Sequence, residues 1–213
     1  MKRLFSIFLL SVALLPLTGE ARTIADFFGS EPGNIFPLLT RTNRLDMVDY
    51  YNSGQKVAQQ NNLAGTSQLI ELDNDYLKVQ TSPSRTVEMR LLVTGKHDTT
   101  IVVIETVMTQ VPDSRLTLWN EKWQMLRTDR HFKMPTLDDF IVRKMSSDLR
   151  ADLRDVTIFP LIQLAFSGQK HDEIVASHGL EQFLAPVEYK RFADYLKPTI
   201  TYRFSGTKIK PVK

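Results

Sequence analysis

Residues 66–93, TSQLIELDNDYLKVQTSPSRTVEMRLLV, decide the fold of this chain. Apolar and polar side chains alternate along this stretch, and the runs Asp73-Asn74-Asp75 and Ser82-Pro83-Ser84 interrupt the alternation. A period of two is typical of strands that are buried on one face, while Asp, Asn, Ser and Pro are typical of turns. The stretch therefore predicts three antiparallel strands, because parallel neighbours need much longer connections.

The alternation continues beyond this stretch, with similar turn residues between the apolar runs. The predicted strands are residues 67–72, 76–81, 86–93, 101–110, 115–119 and 123–126. Six strands with short links predict an antiparallel meander.

Helices are predicted on the N-terminal side of the meander. Thr23 is the first candidate N-cap, with Asp26 at the third helical position, and Asn43 is the second, with Asp46 in the same place. A short polar side chain followed three residues later by an acid is a pattern that begins many helices. Two helices are therefore expected before the sheet, and the second ends at Gly54.

After the meander the helical pattern returns. Thr136 is the expected N-cap of a long helix whose apolar residues repeat every four positions, at Leu137, Ile141, Met145, Leu149 and Leu153. The apolar run 156–166 contains Pro160 and so predicts an edge or bulged strand. The remaining predicted elements are a strand at 173–177, a helix at 187–196 opened by Pro186, and a hairpin at 199–212.

These elements indicate the α+β class, with antiparallel meander sheets and helices packed on one face. Both halves begin with helix and end with a hairpin, so two similar α+β subdomains are expected, at 22–131 and 132–213. An old duplication and an ordinary α+β arrangement both explain the similarity. The charged link at 129–135 is expected to be the most protease-sensitive internal segment.

The first 21 residues have the pattern of a secretory signal peptide. Met1-Lys2-Arg3 is a basic start, residues 4–17 are apolar, and Gly19 and Ala21 are small residues where signal peptidase reads them. The apolar stretch is shorter than the roughly 20 residues of a spanning helix, and no other stretch is longer. The mature chain is expected to begin at Arg22, to lack a transmembrane segment, and to be exported to the periplasm or cell surface. An uncleaved membrane anchor is the alternative.

Composition excludes several classes of protein. Removal of Lys2, Arg3 and Glu20 lowers the formal net charge from +3 to +2, and so small a charge argues against nucleic acid as a partner. Cysteine is absent, which excludes disulfides, thiol catalysis, cysteine-ligated metals and a bacterial lipid anchor. Stability must then come from the hydrophobic core.

A Ser-x-x-Lys spacing occurs twice, at Ser53/Lys56 and at Ser167/Lys170. In penicillin-recognising enzymes this spacing places a serine nucleophile beside a lysine base on one helical turn. Both serines here precede glycine, which is more typical of a turn or a helix end. The spacing is therefore interpreted as turn chemistry.

Histidines and paired carboxylates are the other candidates for chemistry. They are His97, His131, His171 and His178, and the pairs Asp73/Asp75 and Asp138/Asp139. The histidine spacings do not fit a zinc site, and the carboxylates lie in a predicted turn and a predicted first helical turn, where acids are common for local reasons. The sequence therefore predicts no metal, no cofactor and no catalytic residue.

The best candidate for a contact surface is the hairpin that contains both tryptophans. Trp119 and Trp123 flank a charged turn, Glu121-Lys122. Exposed, the two rings would form a platform for sugar stacking or protein docking. Alternatively, they pack across the hairpin or onto a helix, as aromatic residues in sheets often do.

Three segments resemble a known family. They are residues 37–54 (PLLTRTNRLDMVDYYNSG), residues 114–126 (SRLTLWNEKWQML) and Tyr202-Arg203-Phe204-Ser205-Gly206. Together they are similar to a family of exported Bacteroidales proteins known as domain of unknown function 3256, over most of the mature chain. The resemblance implies bacterial export. It implies no activity, ligand or catalytic residue.

The leading functional hypothesis is a non-enzymatic exported envelope protein, a binding or scaffolding module for an envelope protein or glycan. The alternatives are a periplasmic hydrolase acting on glycan or peptide, and a carrier of an apolar ligand, motivated by Phe159 and Phe166 in the run 156–166. A hydrolase should have a cleft with converging polar groups, a carrier a large aliphatic cavity, and a binding module an exposed patch.

Overall fold

The computed structural model describes residues 22–55, 57–93, 99–157, 161–167 and 172–212. Two antiparallel sheets form its framework, each a meander with sequential strand order. The first sheet contains β1 (Gln59–Gln60), β2 (Thr66–Leu72), β3 (Tyr76–Ser82), β4 (Arg85–Val93), β5 (Thr99–Val107) and β6 (Asp113–Asn120). The second contains β7 (Ile162–Ser167), β8 (Glu173–His178), β9 (Thr199–Ser205) and β10 (Lys208–Pro211). The predicted α+β class with antiparallel meanders is confirmed.

The helices are short and surround the two sheets. They are α1 (Ile24–Ser30), α2 (Arg41–Asn52), α3 (Ser147–Val156), α4 (Leu180–Phe183) and α5 (Pro186–Ala193), with 3-10 turns at Thr128–Arg130 and Leu137–Phe140. The predicted signal peptide, residues 1–21, lies outside the described residues.

The two N-terminal helices begin with reciprocal caps. At α1 the predicted pair is confirmed: the N–H of Thr23 donates to Asp26 Oδ2 (2.8 Å), and the N–H of Asp26 donates to Thr23 Oγ1 (3.3 Å). At α2 the prediction of Asn43 as N-cap is wrong. The cap is Thr40, and Asn43 occupies the third helical position, where its Oδ1 accepts the N–H of Thr40 at 3.1 Å. An amide side chain closes the same reciprocal box as an acid.

The single long helix predicted after Thr136 is wrong. Thr136 and Asp139 do form a capping box, but only the 3-10 turn follows it. The chain then extends, because Ile141 forms a β-bridge with Leu196 and the N–H of Val142 donates to Tyr195 O at 2.9 Å. Tertiary pairing thus replaces the helical hydrogen bonds. Helix α3 begins afresh at its own cap, Ser146.

Two strand predictions also need correction. Residues 123–126 form no strand, since Trp123 has a left-handed φ of 58° and the only pairing in this segment is the bridge between Trp119 and Met125. The run 156–166 contains an edge strand, as expected, but α3 extends to Val156 and the strand is β7.

The six-stranded sheet is buried on both faces. One face packs against α1 and α2 in a cluster that includes Phe27, Leu77 and Val103. The opposite face joins the second sheet and the later helices. Its contributors from the first sheet are Tyr76, Val102, Ile104, Leu116 and Leu118. This second core therefore contains residues from both sides of position 132, and the division of the chain there stays a prediction.

Strand β7 meets the face of the first sheet edge-on. Three of its N–H groups bond to side chains of that sheet: Ile162 to Asp113 Oδ1 (3.4 Å), Leu164 to Ser114 Oγ (2.9 Å) and Phe166 to Glu88 Oε2 (3.3 Å). Glu88 is buried, and it also accepts the hydroxyl of Tyr76 at 2.9 Å and pairs with Lys78 Nζ at 3.4 Å. Burial and the neighbouring Glu88 raise the pKa of Tyr76, so its hydroxyl remains a donor. These bonds cap an edge strand that would otherwise expose its main chain.

We expect Gly179→Ala to lower the free energy of unfolding by about 1–3 kcal/mol, because overpacking forces neighbours out of place. Gly179 connects β8 to α4, and a Cβ there would lie 1.9 Å from Cγ1 and 3.3 Å from Cβ of Val111. Val111 is itself buried and β-branched, so it has little freedom to turn away. Urea denaturation followed by circular dichroism measures the effect.

Gly29→Ala is the matched control for this substitution. Its Cβ would meet only the end of the flexible Leu45 side chain, at 2.8 Å from Cδ2. Adding Val111→Ala to Gly179→Ala should recover part of the loss. A Gly179→Ala protein as stable as the wild type would contradict the close approach of Gly179 to Val111.

Candidate functional site

The two tryptophans of the predicted contact hairpin differ in how deeply they are buried. Trp123 is 9% exposed and packs edge-to-face on Phe27, with ring centroids 6.3 Å apart, and on Trp119, at 6.1 Å. Trp119 is partly buried, and its Nε1 donates to Thr117 Oγ1 at 3.0 Å. The rings therefore do not form a flat exposed platform, because Trp123 belongs to the core beneath α1. A contact role for Trp119 and its neighbours stays a prediction.

The charged residues of this hairpin, Glu121 and Lys122, are exposed. Asn120 holds the turn: its Oδ1 accepts the N–H groups of Lys122 (3.0 Å) and Gln124 (2.9 Å), and its carbonyl accepts the N–H of Trp123 (3.0 Å). These bonds compensate for the left-handed backbone at Trp123, which is costly for a bulky residue.

The Ser-x-x-Lys candidates are only partly within the described residues. Ser53 is the C-cap of α2, and its hydroxyl donates to Asp49 O at 2.8 Å, as expected of a helix end. Ser167 ends β7. Lys56 and Lys170 lie outside the described residues.

Histidines and carboxylates are not brought together in the described part of the chain, where no group of three or more potential metal ligands occurs. His131 Nδ1 lies 2.9 Å from Thr207 O, and His178 packs edge-to-face on Phe140. Asp138 pairs with Arg154 at 3.1 Å. Asp139 belongs to the Thr136 cap, and Asp75 pairs with Arg90. His97 and His171 lie outside the described residues.

The burial of His178 predicts that acid lowers the stability of the protein. Neither ring nitrogen forms a well-aligned hydrogen bond with a described residue, and burial lowers the pKa of His178 below the ordinary value of 6.5, although the nearby main chain of Lys197 and the charge of Glu181 partly oppose this shift. Below about pH 6.5 the unfolded chain therefore binds a proton that the folded chain does not, and the free energy of unfolding falls as the pH falls. We expect His178→Gln to lose less stability than the wild type between pH 7 and pH 5, measured by urea denaturation. Equal losses would contradict this role of His178.

A cleft of about 370 Å³ opens at the outer edge of β6 and is the best candidate for a binding site. Its floor contains Leu116 and Phe132, both buried, and the partly buried Met134. Its other lining residues are Ser114, Arg115, Thr128, Asp129 and Lys133. The cleft thus combines an apolar floor with a charged rim.

The segment 128–134, which forms one wall of the cleft, is fixed from the far side by the second sheet. The ring of Phe132 packs edge-to-face on Tyr202 with centroids 5.3 Å apart, and the N–H of Ile209 donates to His131 O at 2.9 Å. The wall is therefore preformed, as expected of a binding site that loses little entropy on binding.

The polar side chains of the cleft are already engaged. Ser114 Oγ accepts the N–H of Leu164 and lies 2.8 Å from Thr106 Oγ1. Thr128 Oγ1 accepts the N–H of Leu118 at 3.2 Å. A hydrogen bond from Arg127 lowers the pKa of Asp129, so this carboxylate is ionised and paired. The described lining residues therefore include no activated nucleophile and no protonated acid.

The rim of the cleft has excess positive charge. Arg115 pairs with Glu105 at 2.6 Å, but the same carboxylate also pairs with Arg85, so two guanidinium groups share one acid. Lys133 is exposed and forms no ion pair with any described residue. A ligand with a negative charge would complement this rim.

Sequence reasoning missed this cleft because it interpreted 129–135 as a charged link. Phe132 and Met134 are spaced two residues apart within that link, and this alternation was the available signal. Leu116 was assigned correctly to a strand, but its place at the sheet edge depends on where the chain goes after Trp123.

None of the helices among the described residues is long and apolar enough to cross a membrane.

Comparison with curated proteins finds no match. Among solved structures, the chain is similar to a domain of an uncharacterized protein from Porphyromonas gingivalis W83, with a TM-score of 0.78, 24% identity, and coverage of 90% of this chain and 100% of that one. This likeness shows a shared fold with a Bacteroidales protein. A family model described as "Protein of unknown function (DUF3256)" matches residues 17–209, which confirms the resemblance found in the sequence. The chain therefore belongs to the DUF3256 family.

Proposed function

We propose that this protein is an exported, non-enzymatic binding module of a bacterial envelope, and that its contact site is the β6-edge cleft. One observation carries the proposal: an apolar floor of Leu116, Phe132 and Met134 lies beneath the cations Arg115 and Lys133, in a cleft whose own polar side chains are engaged. Concave apolar surfaces with a few charged groups are typical of binding sites.

Hydrolysis fits this cleft poorly. Glycosidases need two carboxyl groups that flank the bond to be broken, whereas Asp129 is the single carboxylate among the described lining residues, and it is paired with Arg127. Peptide hydrolysis by a serine needs a base beside the hydroxyl, whereas Ser114 bonds to Thr106 and to the main chain of Leu164. The arrangement supports holding a ligand rather than cleaving it.

Transport of a lipid tail is also less well supported. Phe166, which motivated the carrier hypothesis, is packed against Tyr76 at 5.8 Å and Phe204 at 6.3 Å and does not line the cleft. Phe159 lies outside the described residues. A volume of about 370 Å³ is near the lower end of ligand pockets, which suits one or two side chains better than an acyl chain.

A photo-crosslinking amino acid at position 134 tests the contact site in intact cells. Met134 lines the cleft, so this variant should form discrete crosslinked products in the envelope fraction. The control carries the same amino acid at position 187, because Val187 is 81% exposed and does not line the cleft. No product at position 134, or the same products from both positions, would contradict the proposed site.

Export is tested separately by N-terminal sequencing of protein from the envelope fraction. The basic start, the short apolar stretch and the small residues Gly19 and Ala21 support cleavage after Ala21. We expect the mature chain to begin at Arg22. A stable product that begins at Met1 and sediments with membranes would contradict cleavage.

A further inference from the structure

We infer that the β6-edge cleft binds an extended peptide that pairs with β6 at Leu116 and carries an apolar side chain next to a carboxylate. The inference rests on the proposed function, because it names the ligand class of the same cleft. It follows from three features: a gap in the hydrogen bonding of the sheet edge, the alternation of side chains along β6, and the charge of the rim.

The first feature is a stretch of the β6 edge, at Leu116, whose main chain has no hydrogen-bond partner among the described residues. Leu118 donates its N–H to Thr128 Oγ1 (3.2 Å) and accepts the N–H of Leu126 (2.8 Å), so its main-chain groups point away from β5. Because strand residues alternate in direction, the N–H and C=O of Leu116 point to the same outer edge. No hydrogen bond joins them to another described residue.

Hydrogen bonds occupy the β6 edge on both sides of Leu116. Toward the N-terminus of β6, the side chains of Asp113 and Ser114 bond to β7, and toward its C-terminus, residues 124–128 cover the edge. The N–H and the C=O of Leu116 therefore remain without partners, and the C=O and N–H of one residue in an added strand could pair with both of them. Addition of a strand to an open edge is a common mode of peptide recognition.

The second feature determines where the side chains of such a peptide would lie. A residue paired with Leu116 has its side chain on the same face as Leu116, and this is the face where Phe132 and Met134 line the cleft. The next residue of the peptide points to the opposite face, which is the face of Arg115. In such a peptide, an apolar residue would contact the apolar floor of the cleft, and the acidic residue after it would lie near Arg115 on the rim.

The third feature is the charge that the peptide would complement. Arg115 shares the carboxylate of Glu105 with Arg85, and Lys133 forms no ion pair within 4.0 Å among the described residues, although its charge lowers the pKa of Asp139. A carboxylate from a ligand could pair with these cations, because they are exposed and outnumber the acids that they pair with. A fatty acid offers a carboxylate and an apolar tail, but it has no donor for the carbonyl of Leu116, whereas a peptide has all three groups.

Nuclear magnetic resonance titration of the ¹⁵N-labelled mature chain tests the inference. The probe is the synthetic peptide acetyl-Thr-Leu-Asp-Leu-Thr-amide, and the comparison peptide has Lys in place of Asp. At saturation we expect exchange of the Leu116 amide hydrogen to slow about tenfold or more, because strand addition protects it. The Lys peptide should bind about tenfold more weakly, as should an Asp peptide in which the first Leu is N-methylated.

Protein variants locate the site. Lys133→Glu and Arg115→Glu should each weaken binding of the Asp peptide about tenfold. Lys122→Glu is the matched control, because Lys122 is also an exposed cation but belongs to the tryptophan hairpin. Loss of binding in Lys122→Glu, with no effect of Lys133→Glu, would overturn the inference in favour of the hairpin.

Two further probes separate this inference from the proposed function. Decanoate supplies a carboxylate and an apolar tail without amides, and an N-acetylglucosamine trisaccharide supplies amides without a carboxylate. If either shifts the cleft amides while the Asp peptide does not, the peptide inference fails and the binding cleft stands. If the Asp and Lys peptides bind equally, the requirement for a carboxylate is wrong. If the Asp peptide leaves the Leu116 amide unchanged at millimolar concentration, the inference is overturned, and crosslinking at position 134 still decides the proposed function independently.

Discussion

Replacing Arg44 by Ala is expected to lower the free energy of unfolding by about 3–5 kcal/mol, which is typical when one partner of a buried ion pair is removed. Arg44 lies on α2 and is 3% exposed. It donates Nε to Phe28 O (2.8 Å), Nη1 to Leu39 O (2.7 Å) and Nη2 to Glu31 O, and its Nη1 lies 3.8 Å from Glu31 Oε2. Truncation leaves these carbonyl groups without their donor and removes the positive charge that faces the buried Glu31 carboxylate.

The effect should extend to the whole loop between α1 and α2. Glu31 is 2% exposed and accepts the N–H groups of Gly33 (2.8 Å), Asn34 (2.6 Å) and Ile35 (3.0 Å), so its carboxylate shapes the loop that Arg44 closes. Burial lowers the pKa of Arg44, and the charge of Glu31 opposes this shift. The charge of Glu31 therefore partly offsets the cost of burying the Arg44 guanidinium.

Urea denaturation of three variants tests this role. Arg41→Ala is the matched control, because Arg41 is on the same helix but exposed, and it should change the stability by less than about 0.5 kcal/mol. Arg44→Lys should be nearly as harmful as Arg44→Ala, since an ammonium group cannot reproduce the planar fork of the guanidinium. Similar midpoints for Arg44→Ala and Arg41→Ala would contradict a structural role for Arg44.

This role gives a structural reason for several residues of the segment 37–54, which resembles the family. Thr40 caps α2, Asn43 completes the cap, and Arg44 ties the helix to the preceding loop. These residues of the segment thus fix the start of α2 and its contact with the preceding loop. In the sequence Arg44 resembles an ordinary surface residue of a polar helix, because its partners are main-chain carbonyls that no side-chain pattern reveals.

The local features of the fold could be predicted where neighbouring residues determine them. The turn at Asp73-Asn74-Asp75, the cap at Thr23 and the alternation of Leu77 and Val79 depend on residues close in the chain, and the structure confirms the elements that they predict. The long helix after Thr136 failed because Ile141 and Val142 pair with residues 195–196, more than fifty positions away. A four-residue repeat cannot distinguish one helix from several elements that cover the same core.

The candidate site was less predictable than the fold for a related reason. Its floor combines Leu116 with Phe132 and Met134, and the wall is fixed by Tyr202 and Ile209 from the C-terminal hairpin. The sequence shows which of these residues are apolar, but it does not show that they come together at one sheet edge. The tryptophan hairpin, by contrast, was conspicuous in the sequence because two large aromatic residues are close together.

Trp123→Ala is the second substitution for which a large effect is expected, a loss of about 3–5 kcal/mol, as is typical when a buried Trp is truncated. Its ring fills the space between Phe27 on α1 and Trp119 on β6, so truncation leaves a cavity between the helix and the sheet. The substitution also removes the side chain from a residue with a φ of 58°, but Ala is strained there too, so no compensating gain is expected. Differential scanning calorimetry should show a lower melting temperature.

Trp119→Ala separates packing from recognition. Trp119 is only partly buried and lies on the near side of the exposed turn Glu121-Lys122, so its truncation should lower the melting temperature less than Trp123→Ala does. If the hairpin also contacts a partner, Trp119→Ala and Lys122→Glu should both reduce partner capture from the envelope fraction, and Lys122→Glu should do so at an unchanged melting temperature. If capture is normal in both variants but lost in Lys133→Glu, the hairpin is part of the core and recognition belongs to the β6-edge cleft. An unchanged melting temperature in Trp123→Ala would contradict the packing of this ring against Phe27 beneath α1, because the loss of a buried ring must lower the stability.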